Sequence, residues 1–226
     1  MKYFIANWKS NKSRAEVTRW LTDWRQTQIA ERTSAIILCP AYPALELVAV
    51  GISEYSQAKQ IYLGVQDISA YPAGSYTGAV SDHNLEGLEV KYAIVGHSER
   101  RRYFGETDQQ VANKVERCIE SEITPIVCVD DDYIASQAFA IKKEYLSKCL
   151  VAYEALSAIG SGQSTPVRKV EKIFAQVKDE FGQVKTIYGG SVTAHNVVEY
   201  LTICDGVLVG GASLKVKEFA ALVNGG

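Results

Sequence analysis

Short apolar, often β-branched runs recur along the chain: Tyr3-Phe4-Ile5-Ala6, Ala35-Ile36-Ile37-Leu38, Ile61-Tyr62-Leu63-Gly64-Val65, Tyr92-Ala93-Ile94-Val95, Pro125-Ile126-Val127-Cys128-Val129, Leu150-Val151-Ala152-Tyr153, Val184-Lys185-Thr186-Ile187-Tyr188 and Gly206-Val207-Leu208-Val209. They are continuous stretches without apolar/polar alternation, the pattern of parallel strands covered on both faces. Segments with helical spacing lie between most of them. In Glu16–Trp24, Val17, Trp20, Leu21 and Trp24 fall on one face and predict a packed helix. Thr107 with Gln110 forms a predicted capping box, and Thr165-Pro166 predicts an N-cap followed by proline at the first helical position. The stretch from Asp130 to Cys149 is short and leaves room for one modest helix. Alternating strand and helix, with no Pro/Gly/Ser-rich linker, predicts an α/β fold: a closed (β/α)8 barrel over residues 1–226 as a single domain, compact between strands 5 and 6.

Composition narrows the partners. The chain is 47% hydrophobic and 22% charged, the balance of an ordinary globular protein. A net charge of -2 supplies no basic field to hold nucleic acid, so the expected partner is a small molecule whose anionic group is bound by local donors. No apolar run is long enough for a membrane span, and the first residues show no signal-peptide pattern, which predicts a cytoplasmic protein without membrane contact. The 5 cysteines are odd in number and form no CxxC or Cys/His cluster, so no metal site is expected and reduced thiols are the simplest reading. His83 and His195 sit in no motif and read as surface residues.

In a parallel barrel the chemistry sits at the carboxyl ends of the strands. There the sequence places Asn7-Trp8-Lys9, Gly96-His97-Ser98-Glu99-Arg100, Glu154 followed by Ala158-Ile159-Gly160-Ser161-Gly162, Gly189-Gly190-Ser191, and Gly210-Gly211-Ala212-Ser213. Each has an ordinary explanation alone: a solvated lysine, a histidine at a strand end, a surface acid, glycine turns. Together they compose an enolisation site beside a phosphate cradle. A proton next to a carbonyl is weakly acidic, so its removal needs a carboxylate against the carbon and electrophiles aimed at the developing oxyanion. Glu154 suits the first task, Lys9 and His97 the second, and Asn7 can orient Lys9 or the substrate. Backbone N–H groups at Gly160, Ser191, Gly210 and Gly211 suit the phosphate. The segment from Ala155 to Thr165 suits a lid.

From end to end the chain resembles the triosephosphate isomerases. The resemblance rests on Ala6-Asn7-Trp8-Lys9-Ser10-Asn11, Ser75-Tyr76-Thr77-Gly78, Tyr92-Ala93-Ile94-Val95-Gly96-His97-Ser98-Glu99-Arg100-Arg101, Ala152-Tyr153-Glu154, Ala158-Ile159-Gly160-Ser161-Gly162, Tyr188-Gly189-Gly190-Ser191 and Gly210-Gly211-Ala212-Ser213-Leu214, in that order. It implies a TIM barrel that interconverts dihydroxyacetone phosphate and D-glyceraldehyde 3-phosphate through an enediolate, in glycolysis and gluconeogenesis, without metal or organic cofactor. It further implies Lys9, His97 (as a neutral electrophile) and Glu154 as catalytic residues, supported by Asn7 and Glu99. A homo-oligomer is implied too, most simply a dimer, with a tetramer as the other option, in which Thr77 enters the partner's site.

Three features depart from the family pattern. After Glu154 the chain reads Ala155-Leu156-Ser157 where the family has proline, any residue, tryptophan, and the far end of the lid, Gln163-Ser164-Thr165, is a residue short. Asp131 stands where the tryptophan's acidic partner is usual. The stretch from Asp130 to Cys149 is shortened. Two other readings stand beside the isomerase: a barrel isomerase of a longer sugar phosphate, and a phosphate-binding TIM-barrel protein with catalysis impaired by its lid hinge.

Overall fold

The computed structural model describes residues 1–30, 34–55, 60–156 and 164–226. Eight parallel strands close into a barrel in sequence order. They are β1 (Lys2–Asn7), β2 (Ser34–Cys39), β3 (Ile61–Val65), β4 (Val90–Val95), β5 (Thr124–Val129), β6 (Leu150–Tyr153), β7 (Lys185–Tyr188) and β8 (Gly206–Val209). Each predicted run falls on one of them. The ring is shut by β1 against β8, with Tyr3 to Ala6 in register with Gly206 to Val209.

Neighbouring residues on a strand face opposite sides of the sheet, and here both sides are dry. Ile5, Ile37, Cys39, Ile94, Ile126, Cys128, Ala152, Ile187 and Leu208 fill the barrel, while Phe4, Ala6, Ile36, Leu38, Val95 and Val127 meet the helices. Uninterrupted apolar runs are therefore what this sheet requires. Tyr3, Tyr62 and Tyr92 pack against the interior cluster, with Tyr62 and Tyr92 edge to face at 5.7 Å.

The helices are α1 (Arg14–Arg25), α2 (Leu45–Ser53), α3 (Ser98–Phe104), α4 (Asp108–Glu120), α5 (Ile134–Ala140), α6 (Lys143–Leu146), α7 (Val167–Phe181), α8 (Val197–Leu201) and α9 (Val216–Gly225). In α1 the four residues read as packing are the buried ones, and Ser13 with Glu16 closes a capping box at its start. Trp8, Trp20 and Trp24 pack in series against Phe219 of α9, edge to face, stacked and tilted in turn, with centroids 4.9, 5.1 and 5.7 Å apart. The Thr107/Gln110 capping box starts α4 as expected.

Two local expectations are corrected. The short stretch after β5 carries two helices, α5 and α6, because Ile141 is extended (φ -78°, ψ 137°) and interrupts the helical run. Thr165 is not an N-cap: Pro166 takes that position without a side-chain cap. The reason lies in Thr165's own backbone, whose N–H donates to Tyr188 Oη at 3.1 Å and whose carbonyl accepts from Tyr200 Oη at 2.5 Å.

Candidate active site

The strand ends open into a cavity of about 520 Å3 that Asn7, Lys9, His97, Glu99, Glu154, Gly189, Gly190, Ser191, Gly210 and Gly211 all line. Every described residue nominated from the sequence as catalytic or substrate-binding is thus brought to one space. Gly160, with residues 157–163 of the segment read as a lid, lies outside the described residues. Thr77 stands apart, in the exposed stretch 71–79.

Lys9 follows β1 in a left-handed backbone conformation, φ 51°, which costs a non-glycine residue free energy unless neighbours enforce it. They do so on both sides. The Lys9 N–H donates to Asn7 Oδ1 at 3.0 Å, and Gln66 Nε2 donates to the carbonyls of Lys9 and Cys39, each at 2.9 Å. The ammonium so placed meets Glu99 Oε1 at 2.5 Å. Gly210 lies against its stem, since a Cβ there would sit 3.5 Å from Lys9 Cε.

His97 leaves β4 through Gly96, whose φ of 71° suits glycine; a Cβ would also stand 3.0 Å from Arg101 Nη2 and 3.1 Å from both methyls of Val111. The turn is tied at each polar atom. The Gly96 N–H donates to Glu106 Oε2 at 3.1 Å and its carbonyl accepts from Arg101 Nε at 2.9 Å. Behind it runs a buried charge network. Arg100 binds Glu106 at 3.0 Å and Asp67 at 2.9 Å, and Lys114 joins Asp67 at 2.6 Å and Glu106. Burial alone would push the Glu106 carboxyl up, but Lys114 and Arg100 outweigh it and hold it below the ordinary range. For Asp67 burial wins and the carboxyl is raised despite the same cations. Arg101 extends the brace to Asp108 at 2.7 Å and to Gln137 Oε1 at 2.6 Å.

The imidazole's protonation follows from its neighbours. Glu99 N–H donates to His97 Nδ1 at 3.2 Å, so Nδ1 presents a lone pair and the ring proton resides on Nε2. Nε2 lies 3.0 Å from Glu154 Oε1.

Glu154 follows β6 and is 2% exposed. Ser98 N–H reaches its Oε2 at 2.7 Å and Ser98 Oγ its Oε1 at 3.0 Å. Burial raises the carboxyl above the ordinary glutamate range, against the opposing pull of His97, Ser98 and Lys9. Gly189 abuts it, since a Cβ there would lie 3.5 Å from Glu154 Cγ. Asp131 has a partner of its own: Tyr153 Oη donates to its Oδ1 at 3.1 Å. Among the described residues no group of three or more His, Cys, Asp or Glu side chains is disposed to hold a metal. All 5 cysteines are free and buried.

The strand-end rule that points to Lys9 points equally to Gln66, directly after β3, which the motifs passed over. Asp67, Glu106, Lys114 and Gln137 carry no comparable signal, because their roles arise from pairing between elements far apart in the chain.

A closed parallel barrel with an ammonium, an imidazole and a buried carboxylate around one cavity at its carboxyl end defines the class of barrel enzymes. Comparison with known proteins narrows the class. A family profile described as triosephosphate isomerase matches residues 2–226. Proteins of that name from Synechococcus sp. (36% identical over 242 residues, 96% of this chain and 94% of the relative), Mesomycoplasma hyorhinis (36% over 235 residues, 97% and 96%) and Thermus thermophilus (34% over 243 residues, 96% and 95%) are similar along nearly their whole lengths. The chain belongs to the triosephosphate isomerase family. It is an enzyme that interconverts triose phosphates.

Proposed function

We propose that Glu154 is the base of this interconversion, with His97 and Lys9 as its electrophiles. The observation that carries the reading is the His97–Glu154 contact, 3.0 Å between Nε2 and Oε1, in a cavity that also holds Lys9. The only proton on the His97 ring faces that carboxylate. A substrate carbonyl oxygen is the competing acceptor, and its arrival on Nε2 frees Glu154 to turn towards the adjacent carbon. Glu154 then takes the proton from C1 of dihydroxyacetone phosphate, and the C–H electron pair forms the enediolate double bond. His97 moves a proton between the two oxygens, and Glu154 returns its proton to C2, giving glyceraldehyde 3-phosphate with nothing gained or lost.

A raised carboxyl pKa strengthens Glu154 as a base, since a carboxylate of ordinary acidity abstracts a carbon-bound proton poorly. Lys9 lowers the energy of negative charge accumulating on oxygen. Asn7 fixes Lys9, and Glu99 holds both Lys9 and the Nδ1 side of His97. The phosphate is assigned to Ser191, Gly210 and Gly211, with Gly160 added from the sequence motif; backbone donors there bind an anion without bulk. In a coupled assay with glyceraldehyde 3-phosphate, Glu154→Ala should lower kcat by about 10³-fold or more. A variant that keeps the parent rate ends the assignment.

The cytoplasmic homodimer implied by the resemblance belongs to the same proposal. Tyr71 and Tyr76, both exposed, stack at 4.6 Å in the stretch bearing Thr77. A second cavity of about 300 Å3, lined by Lys9, Tyr42, Pro43, His97 and Phe104 among others, adjoins the first and suits a partner's Thr77 stretch. Sedimentation at micromolar concentration should give a dimer mass; a monomer that retains full activity would remove the dimer from the account.

A further inference from the structure

Tyr200 and Tyr188 stack face to face, with centroids 4.0 Å apart and planes 15° apart, and both rings are buried. Packing alone would be satisfied by phenylalanine at either position. Yet each hydroxyl is committed to the same peptide unit pair: Thr165 N–H donates to Tyr188 Oη, and Tyr200 Oη donates to the Thr165 carbonyl. A buried tyrosine hydroxyl needs a partner, and this one has taken a backbone carbonyl that would otherwise help start α7. Burial pushes the Tyr200 hydroxyl up to about 12, so it remains a neutral donor throughout the working pH range.

The stack reaches the active site through Tyr188. A Cβ at Gly190 would stand 2.1 Å from Tyr188 Oη, so that hydroxyl occupies the space a side chain at 190 would need. The Tyr188 hydroxyl thus packs directly against the backbone of Gly189-Gly190-Ser191, which lines the cavity. The far end of the turn is tied towards the same helix, because Asn196 Nδ2 donates to the Ser191 carbonyl at 3.2 Å and Tyr200 lies one turn further along, in α8.

We propose that Tyr200 is a positioning residue for the isomerase: by holding Thr165 with its hydroxyl and Tyr188 with its ring, it sets the Gly189-Gly190-Ser191 turn for the substrate's phosphate. This rests on the assignment of that turn to the phosphate, and the test separates the two. Tyr200→Phe keeps the stack and loses the hydroxyl; Tyr200→Leu loses both. For Tyr200→Phe, KM for glyceraldehyde 3-phosphate and the inhibition constant of inorganic phosphate should both rise roughly three- to tenfold, the worth of one hydrogen bond. Turnover of phosphate-free D-glyceraldehyde should stay at the parent value, which general loss of structure would not allow. Tyr200→Leu should exceed Tyr200→Phe on the phosphate readouts; should it fail to fold, Tyr200→Phe decides alone.

Unchanged phosphate inhibition in Tyr200→Phe, or an equal fall with both substrates, overturns the proposal. Ser191→Asp, measured alongside, places a negative charge at the assigned anion position. If it leaves phosphate inhibition intact, the phosphate assignment falls and the role of Tyr200 with it. If it weakens phosphate while Tyr200→Phe does not, the assignment stands and Tyr200 alone is removed.

Discussion

The turn that carries His97 and the strand end that carries Glu154 meet at 3.0 Å, yet they are held in opposite ways. Behind His97, Gly96 is bonded at both its N–H and its carbonyl, and the side chains doing so are locked by Lys114, Arg100, Asp108 and Gln137. None of those bonds involves a group that has to move. Glu154 is held at its carboxylate by Ser98 and His97, and in the proposed mechanism these are the contacts a substrate displaces. An electrophile gains from being fixed before charge develops. A base that must first release one partner gains from bonds it can exchange.

Glu106→Ala tests the rigid half most severely. It leaves Lys114 and Arg100 sharing Asp67 alone and frees the Gly96 N–H in a buried site. Removing one member of a buried ionic network costs about 3 to 5 kcal/mol. Urea unfolding should show a loss of that order, and kcat should fall with it because the His97 turn is released. A loss below about 1 kcal/mol, the range of an exposed pair, would mean that the network does not hold the turn. Gly96→Ala comes next: the left-handed φ and the crowding by Val111 predict a loss of roughly 1 to 3 kcal/mol by the same measurement.

How much of this was legible follows the same division. Strands show in the sequence because both their faces are apolar, and the trio proposed as catalytic shows because barrel chemistry is confined to strand ends. The brace behind His97 does not show. Glu106, Lys114 and Asp67 read as surface charges until α4 is folded against β4 and β5, and Gln137 reads as a polar residue of a short helix although it is wholly buried. Thr165 misled for a related reason. Its local sequence is that of an N-cap, but Tyr200, 35 residues later, claims its carbonyl. Asp131 likewise gains meaning from Tyr153 on the neighbouring strand β6. Pairings of this kind depend on tertiary neighbours that no local pattern encodes.

Ser98→Ala is the gentlest probe and addresses the exchangeable half. It deletes the hydroxyl that donates to Glu154 Oε1 and leaves the backbone donor on Oε2 in place. That hydroxyl favours the charged carboxylate, so its loss raises a pKa that burial has already raised. The acid limb of kcat/KM reports the free enzyme's base and should therefore move to higher pH, by about half a unit to one unit for one hydrogen bond. Titration of the substrate's own phosphate is common to variant and parent and cancels in the difference. The linkage to stability has the matching sign. A carboxyl whose folded pKa is raised favours folding most when protonated, below its unfolded pKa, and that contribution is lost as pH rises through the folded value. Ser98→Ala should accordingly lose more stability at pH 8 than at pH 4. A limb that stays in place, or moves towards acid, would show that the hydroxyl does not engage the working base, and that Glu154 is held by its backbone and imidazole partners alone.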